Sequence, residues 1–365
     1  MNDAKDAYDA FWKSLLPAYP VSKGEFRLPI ATNLIEIPNF NLNELHDNLT
    51  QILNTLLKTE GTKEKAQQRA LSTGDTQLVP LIDDEYTGVM RFDCLWNPVT
   101  ETVSILEINC DYPDGLLLHD KTVSVLKGST NERHATLYEQ LFEPKEDVAV
   151  LHSPTAPFVD GYHAVSEYLR ASGHTGTILT DIATLTSHTT VQRCLETTKL
   201  TPADLDNLIE KSPRLINTAA LRTLGYKNVL ENISHPYIPT TFSISATTYE
   251  HSIARQNTLV LKPADGCEGT GIYFGNQMDA AEWKACVTNA VENNYVAQEF
   301  IDIPRMSIDM YEDGTVVNKE LYYDICPHFF IKHGEVIGVG HTLMRFSKNP
   351  IVNVSQGGGI GYYKD

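Results

Sequence analysis

Two short runs of the sequence combine carboxylate, amide and guanidinium side chains at alternating positions. Arg91 and Asp93 lie in GVMRFDCLW, and Glu107 and Asn109 lie in TVSILEINC. Because alternate residues of an extended strand share a face, pairing of these strands would bring all four side chains onto one surface. Such oxygen ligands suit Mg²⁺, which is held by one or two carboxylates while water and phosphate complete its coordination. The alternative is a polar sheet face that carries solvated ion pairs.

A glycine-rich segment lies between two predicted strands in the second half of the chain. Lys262 ends the apolar run NTLVLKP, and residues 265–271, DGCEGTG, contain three glycines. Glycine allows backbone N–H groups to approach phosphate oxygens closely and to form an anion-binding nest. The pattern is neither a Walker loop nor a Rossmann turn, and a hairpin that covers phosphates fits it better. A purely structural hairpin is the alternative.

Three further features become candidates only beside these motifs. Lys227 opens the predicted helix KNVLENI, and alone it would be an ordinary surface lysine. Arg345 lies on a predicted strand just before the glycine-rich C-terminal segment. The strand YVAQEFI ends at residues 298–301, where a free edge could pair with an adenine through backbone groups.

The other chemistry-bearing residues show no site pattern. His152, His163, His328 and His341 lack helical H-x-x-x-H spacing, so we expect surface histidines or core histidines with satisfied hydrogen bonds. The six cysteines include no C-x-x-C pair, which favours reduced thiols in a cytoplasmic protein. No G-x-S-x-G elbow supports a hydrolase triad.

The composition restricts the expected partners. The chain has 365 residues and a formal net charge of −18. This length allows two or three packed lobes, and the charge leaves no basic surface for nucleic acid. No apolar stretch approaches the roughly 20 residues of a membrane span, and the polar N-terminus predicts no secretory signal. We therefore expect small-molecule partners, without nucleic acid or membrane, and the oligomeric state stays open.

Helices and strands are both expected to position these residues. Helical periodicity dominates the first 75 or so residues, as between Leu45 and Leu57. Alternating strand and helix patterns from VAVLHS to RLINT predict a small α/β unit with parallel pairing. After Arg305 we expect antiparallel strands with hairpin turns at 312–314 and 333–334, and a loop over the tail VNVSQGGGIGYYKD. Further helices are predicted over 130–142, 161–171 and 279–292.

In combination, these motifs resemble the ATP-grasp superfamily. R-x-D, E-x-N and the turn Pro113-Asp114-Gly115 precede the nucleotide-binding motifs. This order is similar to the circularly permuted branch, which includes the synthetase domain of glutathionylspermidine synthase. The resemblance covers roughly residues 85–365 and implies an α+β (mixed α/β) fold with a pre-ATP-grasp Rossmann-like α/β unit. The implied regions are an N-terminal helical region (1–84), magnesium-binding strands (85–145), the pre-ATP-grasp unit (146–218), a nucleotide-binding and lid lobe (219–304) and an antiparallel C-terminal lobe (305–365).

The resemblance also implies roles for individual residues. Asp93, Glu107 and Asn109 would hold two Mg²⁺ ions, which Glu107 would bridge. Arg91 would lie near the transferred phosphoryl group or the substrate carboxylate, and Arg345 matches an arginine that reaches the γ-phosphate from the lid side. The implied ATP-binding residues are Lys227, Lys262, Gly266, Gly269, Thr270, Gly271, Gln298, Glu299, Phe300 and Ile301. An acyl-phosphate pocket could be completed by Asn353 and residues 357–359.

The implied activity is that of an ATP-dependent carboxylate–amine ligase. Such an enzyme forms an acyl phosphate, releases ADP and phosphate, and joins an amino acid or small peptide to an amine. A closing glycine-rich loop would protect the intermediate from water. We find no counterpart of the amidase domain of glutathionylspermidine synthase in this sequence, and its glutathione and spermidine substrates are not carried over. Two alternatives stay open: a kinase that stops at phosphoryl transfer, and an inactive nucleotide-binding scaffold.

Overall fold

The computed structural model shows three β-sheets and the helices that cover them, in the part of the chain that it describes. That part comprises residues 29–111, 116–128, 132–152, 159–185, 190–194, 201–211, 214–266, 269–312, 315–352 and 358–364. The strands are β1 Ile30–Ala31, β2 Gly88–Asn97, β3 Thr102–Asn109, β4 Val148–His152, β5 Thr177–Leu179, β6 Thr190–Cys194, β7 Arg214–Ile216, β8 Thr241–Ser243, β9 Leu259–Pro263, β10 Tyr273–Phe274, β11 Tyr295–Glu299, β12 Arg305–Glu312, β13 Thr315–Cys326, β14 His328–Lys332, β15 Glu335–Val339, β16 Leu343–Ser347 and β17 Gly359–Tyr362. The α-helices are α1 Leu42–Glu60, α2 Lys63–Thr73, α3 Leu116–Lys127, α4 Arg133–Glu139, α5 Val159–Ala171, α6 Pro202–Lys211, α7 Ala219–Thr223, α8 Tyr249–Ala254 and α9 Ala280–Glu292. Short 3₁₀ helices span Thr76–Leu81, Ile182–Thr184, Lys227–Asn232, Gln256–Thr258 and Gly275–Gln277.

The largest sheet has nine strands. Its order is β12-β1-β17-β16-β13-β2-β14-β15, and β3 pairs with β2. Its strand pairs are antiparallel except for β1 with β17. Because β12 also pairs with β13, the strands β12, β1, β17, β16 and β13 form a closed ring. The antiparallel strands predicted after Arg305 are therefore confirmed.

The two faces of this sheet have different covers. Met90 and Phe92 of β2 join the largest hydrophobic cluster, to which α1 contributes Leu49. The intervening residues Arg91 and Asp93 point to the opposite face, because side chains alternate along a strand. The helices α3 and α4 pack on that face through further apolar clusters. The alternation of β2 thus separates the hydrophobic core from the face that carries Arg91 and Asp93, which is called the functional face below.

Two four-stranded sheets complete the fold. The order β5-β4-β6-β7 is parallel, which confirms the predicted α/β unit and its last strand. The order β10-β9-β11-β8 is antiparallel, and α9 packs on it through Trp283 and Val287. Because β9 pairs with β10 across the glycine-rich segment, the predicted hairpin is also confirmed.

The structure corrects the prediction for the C-terminal tail. Instead of a continuous loop, β17 lies between β1 and β16 in the large sheet. Glycine is favoured in this strand because a Cβ at Gly359 would lie 2.8 Å from the carbonyl oxygen of Pro29, and one at Gly361 would lie 2.9 Å from Ala31 Cβ. A glycine-rich strand has weak intrinsic β-propensity, so its close-packed neighbours decide its conformation.

Other expected elements agree in position. The predicted helices correspond to α4, α5 and α9, and α4 is shorter than expected; α3 was not predicted. In the N-terminal region, α1 and α2 are helical, whereas β1 belongs to the large sheet; residues 1–28 lie outside the described residues. The division of the chain into five regions stays a prediction. In the described part of the chain, no helix combines the length and the apolar content needed to cross a membrane.

One side chain joins the parallel sheet to the large sheet. Asn217, which is 2% exposed, follows β7. Its Nδ2 donates to the carbonyl oxygens of Val89 (2.7 Å) and Cys110 (2.8 Å), and its Oδ1 accepts from the N–H of Val89 (2.9 Å). Gly88 leaves the necessary room, since a Cβ there would lie 2.2 Å from Oδ1. The amide therefore satisfies three buried backbone groups next to the functional face.

We expect Asn217→Ala to lower the free energy of unfolding by about 3 kcal/mol, because it leaves three buried backbone groups without partners. Urea denaturation followed by circular dichroism measures this change. The control is Asn318→Ala, which removes an exposed side chain bonded to Asp309 and should change stability by no more than about 0.5 kcal/mol. Equal stability of the two variants would contradict the assigned role of Asn217.

Candidate functional site

The register of the β2–β3 hairpin brings the first two sequence motifs together. Arg91 pairs with Asn109, and Asp93 pairs with Glu107. Directly opposed residues of antiparallel strands lie on the same face with their Cβ atoms about 5 Å apart. The convergence of these four side chains, which the sequence predicted, is therefore a feature of the structure.

Asp93 is the buried centre of this face. It is 1% exposed. Its Oδ1 accepts from Arg91 Nε at 2.7 Å, and its Oδ2 accepts from Arg345 Nη2 at 2.7 Å and Asn109 Nδ2 at 3.0 Å. Arg345 also donates through Nε to both oxygens of Asp324 at 3.1 Å. The alternative of solvated ion pairs is excluded for Asp93, since this carboxylate is almost completely desolvated.

These ion pairs determine which groups are charged. Burial alone would favour a neutral Asp93, but the guanidiniums of Arg345 and Arg91 outweigh it and hold the pKa of Asp93 well below its ordinary value. Burial raises the pKa of Asp324, although Arg345 opposes that shift. Burial also disfavours the charged form of Arg345, but Asp324 and Asp93 hold its pKa far above the ordinary value. The sequence analysis missed Asp324, whose only signal is a carboxylate in the otherwise apolar strand segment LYYDIC.

Lys227 connects the functional face to the glycine-rich segment. It is the first residue of the 3₁₀ helix Lys227–Asn232 and is buried. Its Nζ lies 3.3 Å from Glu107 Oε2 and donates to the carbonyl oxygen of Gly266 at 2.5 Å. Its backbone N–H donates to the carbonyl oxygen of Ala264 at 2.8 Å. A lysine that would be unremarkable in sequence is thus fixed between two predicted sites.

Lys262 lies on β9 of the antiparallel four-stranded sheet and reaches the same face. Its Nζ donates to Gln298 Oε1 at 2.7 Å and to the carbonyl oxygen of Leu106 at 3.2 Å. Burial lowers the pKa of Lys262 to about 8; the carboxylate of Glu107 opposes that shift, and the ammonium of Lys227 adds to it. Gln298, which was predicted to contact adenine, therefore orients Lys262 in this structure.

The glycine-rich segment folds closely over the end of β9. Gly269 and Gly271 have φ values of 73° and 74°, a backbone conformation that favours glycine. A Cβ at Gly266 would lie 2.8 Å from Pro263, and one at Gly271 would lie 2.9 Å from it. Thr270 is exposed beside them. Residues 267 and 268 of this segment lie outside the described residues.

The segment predicted to bind adenine is partly engaged by the protein itself. The N–H of Glu299 donates to the carbonyl oxygen of Thr240, and the N–H of Phe300 donates to that of Thr258, both at 2.8 Å. An adenine at this edge would have to be recognised by other groups, such as those of Ile301. The adenine assignment of these residues stays a prediction.

The remaining predictions concern the glycine-rich C-terminal segment and the turn after β3, and their outcomes differ. Gly359 lies in β17, so the expectation that it belongs to a terminal loop was wrong. Asn353, Gly357 and the turn Pro113-Asp114-Gly115 lie outside the described residues.

Comparison with known proteins supports the fold class. No protein-family model matches the sequence, and no curated protein matches it. A solved structure does match: the apo form of a glutathione synthetase-like effector, GSS30, from Globodera pallida. It has a TM-score of 0.62 and 12% sequence identity, and the match covers 100% of this chain and 97% of that chain. The chain therefore shares the fold of this glutathione synthetase-like protein.

We expect Arg345→Ala to lower the free energy of unfolding by about 3–5 kcal/mol, because it leaves the buried carboxylate of Asp324 without a cationic partner and that of Asp93 with Arg91 alone. Adding Asp324→Asn to this variant should recover at least about 1 kcal/mol, since one of those carboxylates is then neutral. Urea denaturation of the two single variants and the double variant measures this coupling. Additive losses would show that the ion pair does not act as a unit.

Proposed function

We propose that the protein is an ATP-dependent carboxylate–amine ligase that uses Mg²⁺ and forms its product through an acyl phosphate. The observation that carries this proposal is the convergence of Lys227 and Lys262 beside Glu107, next to the glycine-rich segment. The two lysines come from different elements, and each reaches the face of the large sheet that carries Asp93.

The local charges suit an anionic nucleotide. Four cations lie on or beside this face, against three carboxylates, although the whole chain has a net charge of −18. Lysine is a compact point charge suited to phosphate, and the glycine-rich backbone permits close approach of N–H groups to phosphate oxygens. The cations are Arg91, Arg345, Lys227 and Lys262, and the carboxylates are Asp93, Asp324 and Glu107.

Glu107 and Asn109 fit Mg²⁺ best among the three predicted ligands. The side chain of Glu107 is 30% exposed, whereas both oxygens of Asp93 already accept from protein donors. Asn109 donates to Asp93 through Nδ2, which leaves its amide oxygen for the ion. When bound with ATP, Mg²⁺ would neutralise the developing phosphate charge. We assign to Asp93 the positioning of Arg91 and Arg345.

The same contacts suggest how the chain would promote ligation. A substrate carboxylate attacks the γ-phosphorus of ATP and ADP leaves, after which an amine attacks the acyl phosphate and phosphate leaves. The first step brings two anions together, and the second develops negative charge on the carbonyl oxygen of the tetrahedral intermediate. Arg91 and Arg345 are preorganised cations that can offset this charge. The glycine-rich segment 265–271 would close over the phosphates and exclude water from the mixed anhydride.

The likeness to a glutathione synthetase-like effector favours ligation over simple phosphoryl transfer. By the same analogy, we propose amino acids or small peptides as substrates, a circularly permuted motif order, and a cytoplasmic location where ATP is available. These proposals extend a likeness in fold and rest on the site chemistry described above.

The low pKa of Lys262 predicts proton-linked nucleotide binding. At pH 9 most of this amine is neutral in the free protein, and bound phosphates would favour its protonated form, so ATP binding should take up a proton. ATP affinity should therefore fall as the pH rises above about 8, by up to about tenfold per unit. Calorimetry in two buffers of different ionisation enthalpy measures the uptake.

Lys262→Met should abolish this uptake and weaken ATP binding by roughly 1.5–3 kcal/mol. Lys284→Met, at an exposed position of α9, is the matched control and should bind as the unmodified protein does. Unchanged affinity in Lys262→Met would remove this lysine from the nucleotide site.

Hydroxylamine distinguishes the possible reactions. In the presence of ATP, Mg²⁺ and pools of amino acids and dipeptides, a ligase should release ADP and phosphate, and hydroxylamine should trap the acyl phosphate as a hydroxamate. Mass spectrometry identifies the released ADP and the hydroxamate. A kinase would give ADP and a stable phosphorylated product, and an inactive scaffold would bind ATP without releasing ADP. Formation of AMP and pyrophosphate would contradict all three readings.

We expect Glu107→Ala to reduce ADP formation by at least about 100-fold, as loss of a charge-neutralising ligand in phosphoryl transfer should. Glu320→Ala, which removes an exposed carboxylate from the same sheet, should leave the rate unchanged. Near-normal turnover of a folded Glu107→Ala protein would remove the metal assignment. ADP release is measured with a coupled assay, and folding with near-ultraviolet circular dichroism.

A further inference from the structure

Four histidines and an aspartate form a second cluster, which the proposed reaction does not use. His119 and Asp120 lie on α3, His134 on α4, His328 begins β14, and His341 lies between β15 and β16. All five are buried, with exposures between 0% and 5%. Of the four histidines expected to be surface residues or core residues with satisfied hydrogen bonds, His328 departs from that expectation, because it is buried and its ring nitrogens have no hydrogen-bond partner among the described residues.

In the part of the chain that the structure describes, several ring nitrogens of this cluster lack a hydrogen-bond partner. They are Nδ1 of His119, Nε2 of His134 and both nitrogens of His328. An unsatisfied buried polar atom costs about 1–3 kcal/mol, and most such atoms in folded proteins have a partner. Four unpartnered nitrogens in one place therefore require an explanation, and a bound cation would supply one.

His119, His134 and His328 are close enough to bind one ion together. Their ligand atoms lie within 4.8 Å of one another. The ring centroid of His119 lies 5.2 Å from that of His134 and 5.0 Å from that of His328. Tetrahedral zinc with Zn–N bonds of about 2.0–2.1 Å places its nitrogens about 3.3 Å apart, so small side-chain movements would close the site.

Asp120 holds His134 in the orientation that a metal ligand needs. The Asp120 carboxylate accepts from the backbone N–H groups of His134 (2.8 Å) and Ala135 (2.7 Å), and its Oδ1 lies 3.1 Å from His134 Nδ1. A proton on Nδ1 leaves the lone pair on Nε2, as in carboxylate–histidine–zinc arrangements. Gly340 leaves space at that nitrogen, because a Cβ there would lie 2.3 Å from Nε2.

The charge of the cluster also suits a divalent cation. The carboxylate of Asp120 supplies a negative charge beside the rings, since its Oδ1 lies 3.1 Å from His134 Nδ1 and 3.5 Å from His341 Nε2. Arg91, which pairs in register with His328 on the neighbouring strand, is itself paired with Asp93.

We propose that His119, His134 and His328 bind one divalent transition-metal ion of the zinc class, with Asp120 as the outer residue that positions His134. Imidazole nitrogen suits Zn²⁺, whereas the oxygen ligands of the proposed magnesium site suit a hard cation. The ion would fasten α3 and α4 to β14, the strand that pairs with β2 beside Arg91. Three histidines leave the fourth position of a tetrahedral ion to a small ligand such as water.

Cobalt reconstitution tests this proposal without any assay of ligase activity. The full-length protein is stripped with a chelator and titrated with Co²⁺, and visible d–d absorption and elemental analysis report on the site. We expect one ion per chain with the intense bands of tetrahedral Co²⁺ that has three nitrogen ligands, and an increase in Tm on metal addition. Absence of stoichiometric binding after reconstitution would overturn the proposal and indicate a metal-free histidine core.

Variants separate metal ligation from packing. His328→Phe and His119→Phe replace an imidazole with an apolar ring and should each abolish the Co²⁺ bands and the rise in Tm. His174→Phe is the matched control, since His174 is also buried and has an unpartnered Nδ1, but it packs against Phe142 outside the cluster. This control should bind Co²⁺ as the unmodified protein does.

Asp120→Asn should weaken Co²⁺ binding about 10–100-fold without abolishing it, as expected for an outer residue. Retained binding in both His328→Phe and His119→Phe would overturn the ligand set. Complete loss of Co²⁺ binding in Asp120→Asn, together with retained binding in His328→Phe, would also overturn it. That result would assign the ion to Asp120, His134 and His341 instead.

Discussion

The buried carboxylate of Asp93 between the guanidiniums of Arg91 and Arg345 is the interaction on which the rest of the site depends. Asp93 lies on β2, Asp324 on β13 and Arg345 on β16, three neighbouring strands of the large sheet. A charge removed from water is tolerated only when it is paired and hydrogen-bonded. A shift of one residue in any of these strands would turn its charged side chain towards the hydrophobic core. The network therefore stabilises one register and also fixes two arginines in place.

Lys227 and Lys262 connect this face to the glycine-rich segment and to the antiparallel four-stranded sheet. Lys262 contacts the carbonyl oxygen of Leu106, and Lys227 contacts Glu107 and the glycine-rich segment. Without a nucleotide, these contacts satisfy the ammonium groups with protein oxygens. In the proposed enzyme, phosphate oxygens would replace some of them, and the energy of nucleotide binding would then be coupled to the position of the glycine-rich segment. The burial of Lys262 fits such an exchange, because a desolvated ammonium gains more from an anionic ligand than a solvated one does.

The histidine cluster lies next to this network and differs from it in kind. Asp93 and its arginines satisfy one another, whereas His119, His134 and His328 retain nitrogens without partners. Both groups lie against β2, since His328 is opposite Arg91. One strand thus separates a saturated ion-pair network from an unsatisfied set of neutral ligands, and the two sites prefer different cations for that reason.

The sequence by itself determined the features that depend on local periodicity. Alternation placed Arg91 with Asp93 and Glu107 with Asn109. The two pairs face each other because the register shifts by one residue between Asp93 and Cys94, and this bulge was not predicted from the sequence. The glycine-rich hairpin and the parallel α/β unit also follow from short-range patterns. Only the tertiary structure decided β17, which is glycine-rich and takes its conformation from β1 and β16. It also decided the pairing of Asp324 with Arg345 and the meeting of His119 and His134 with His328, because these residues are far apart in the chain and nothing in their local spacing records the contact.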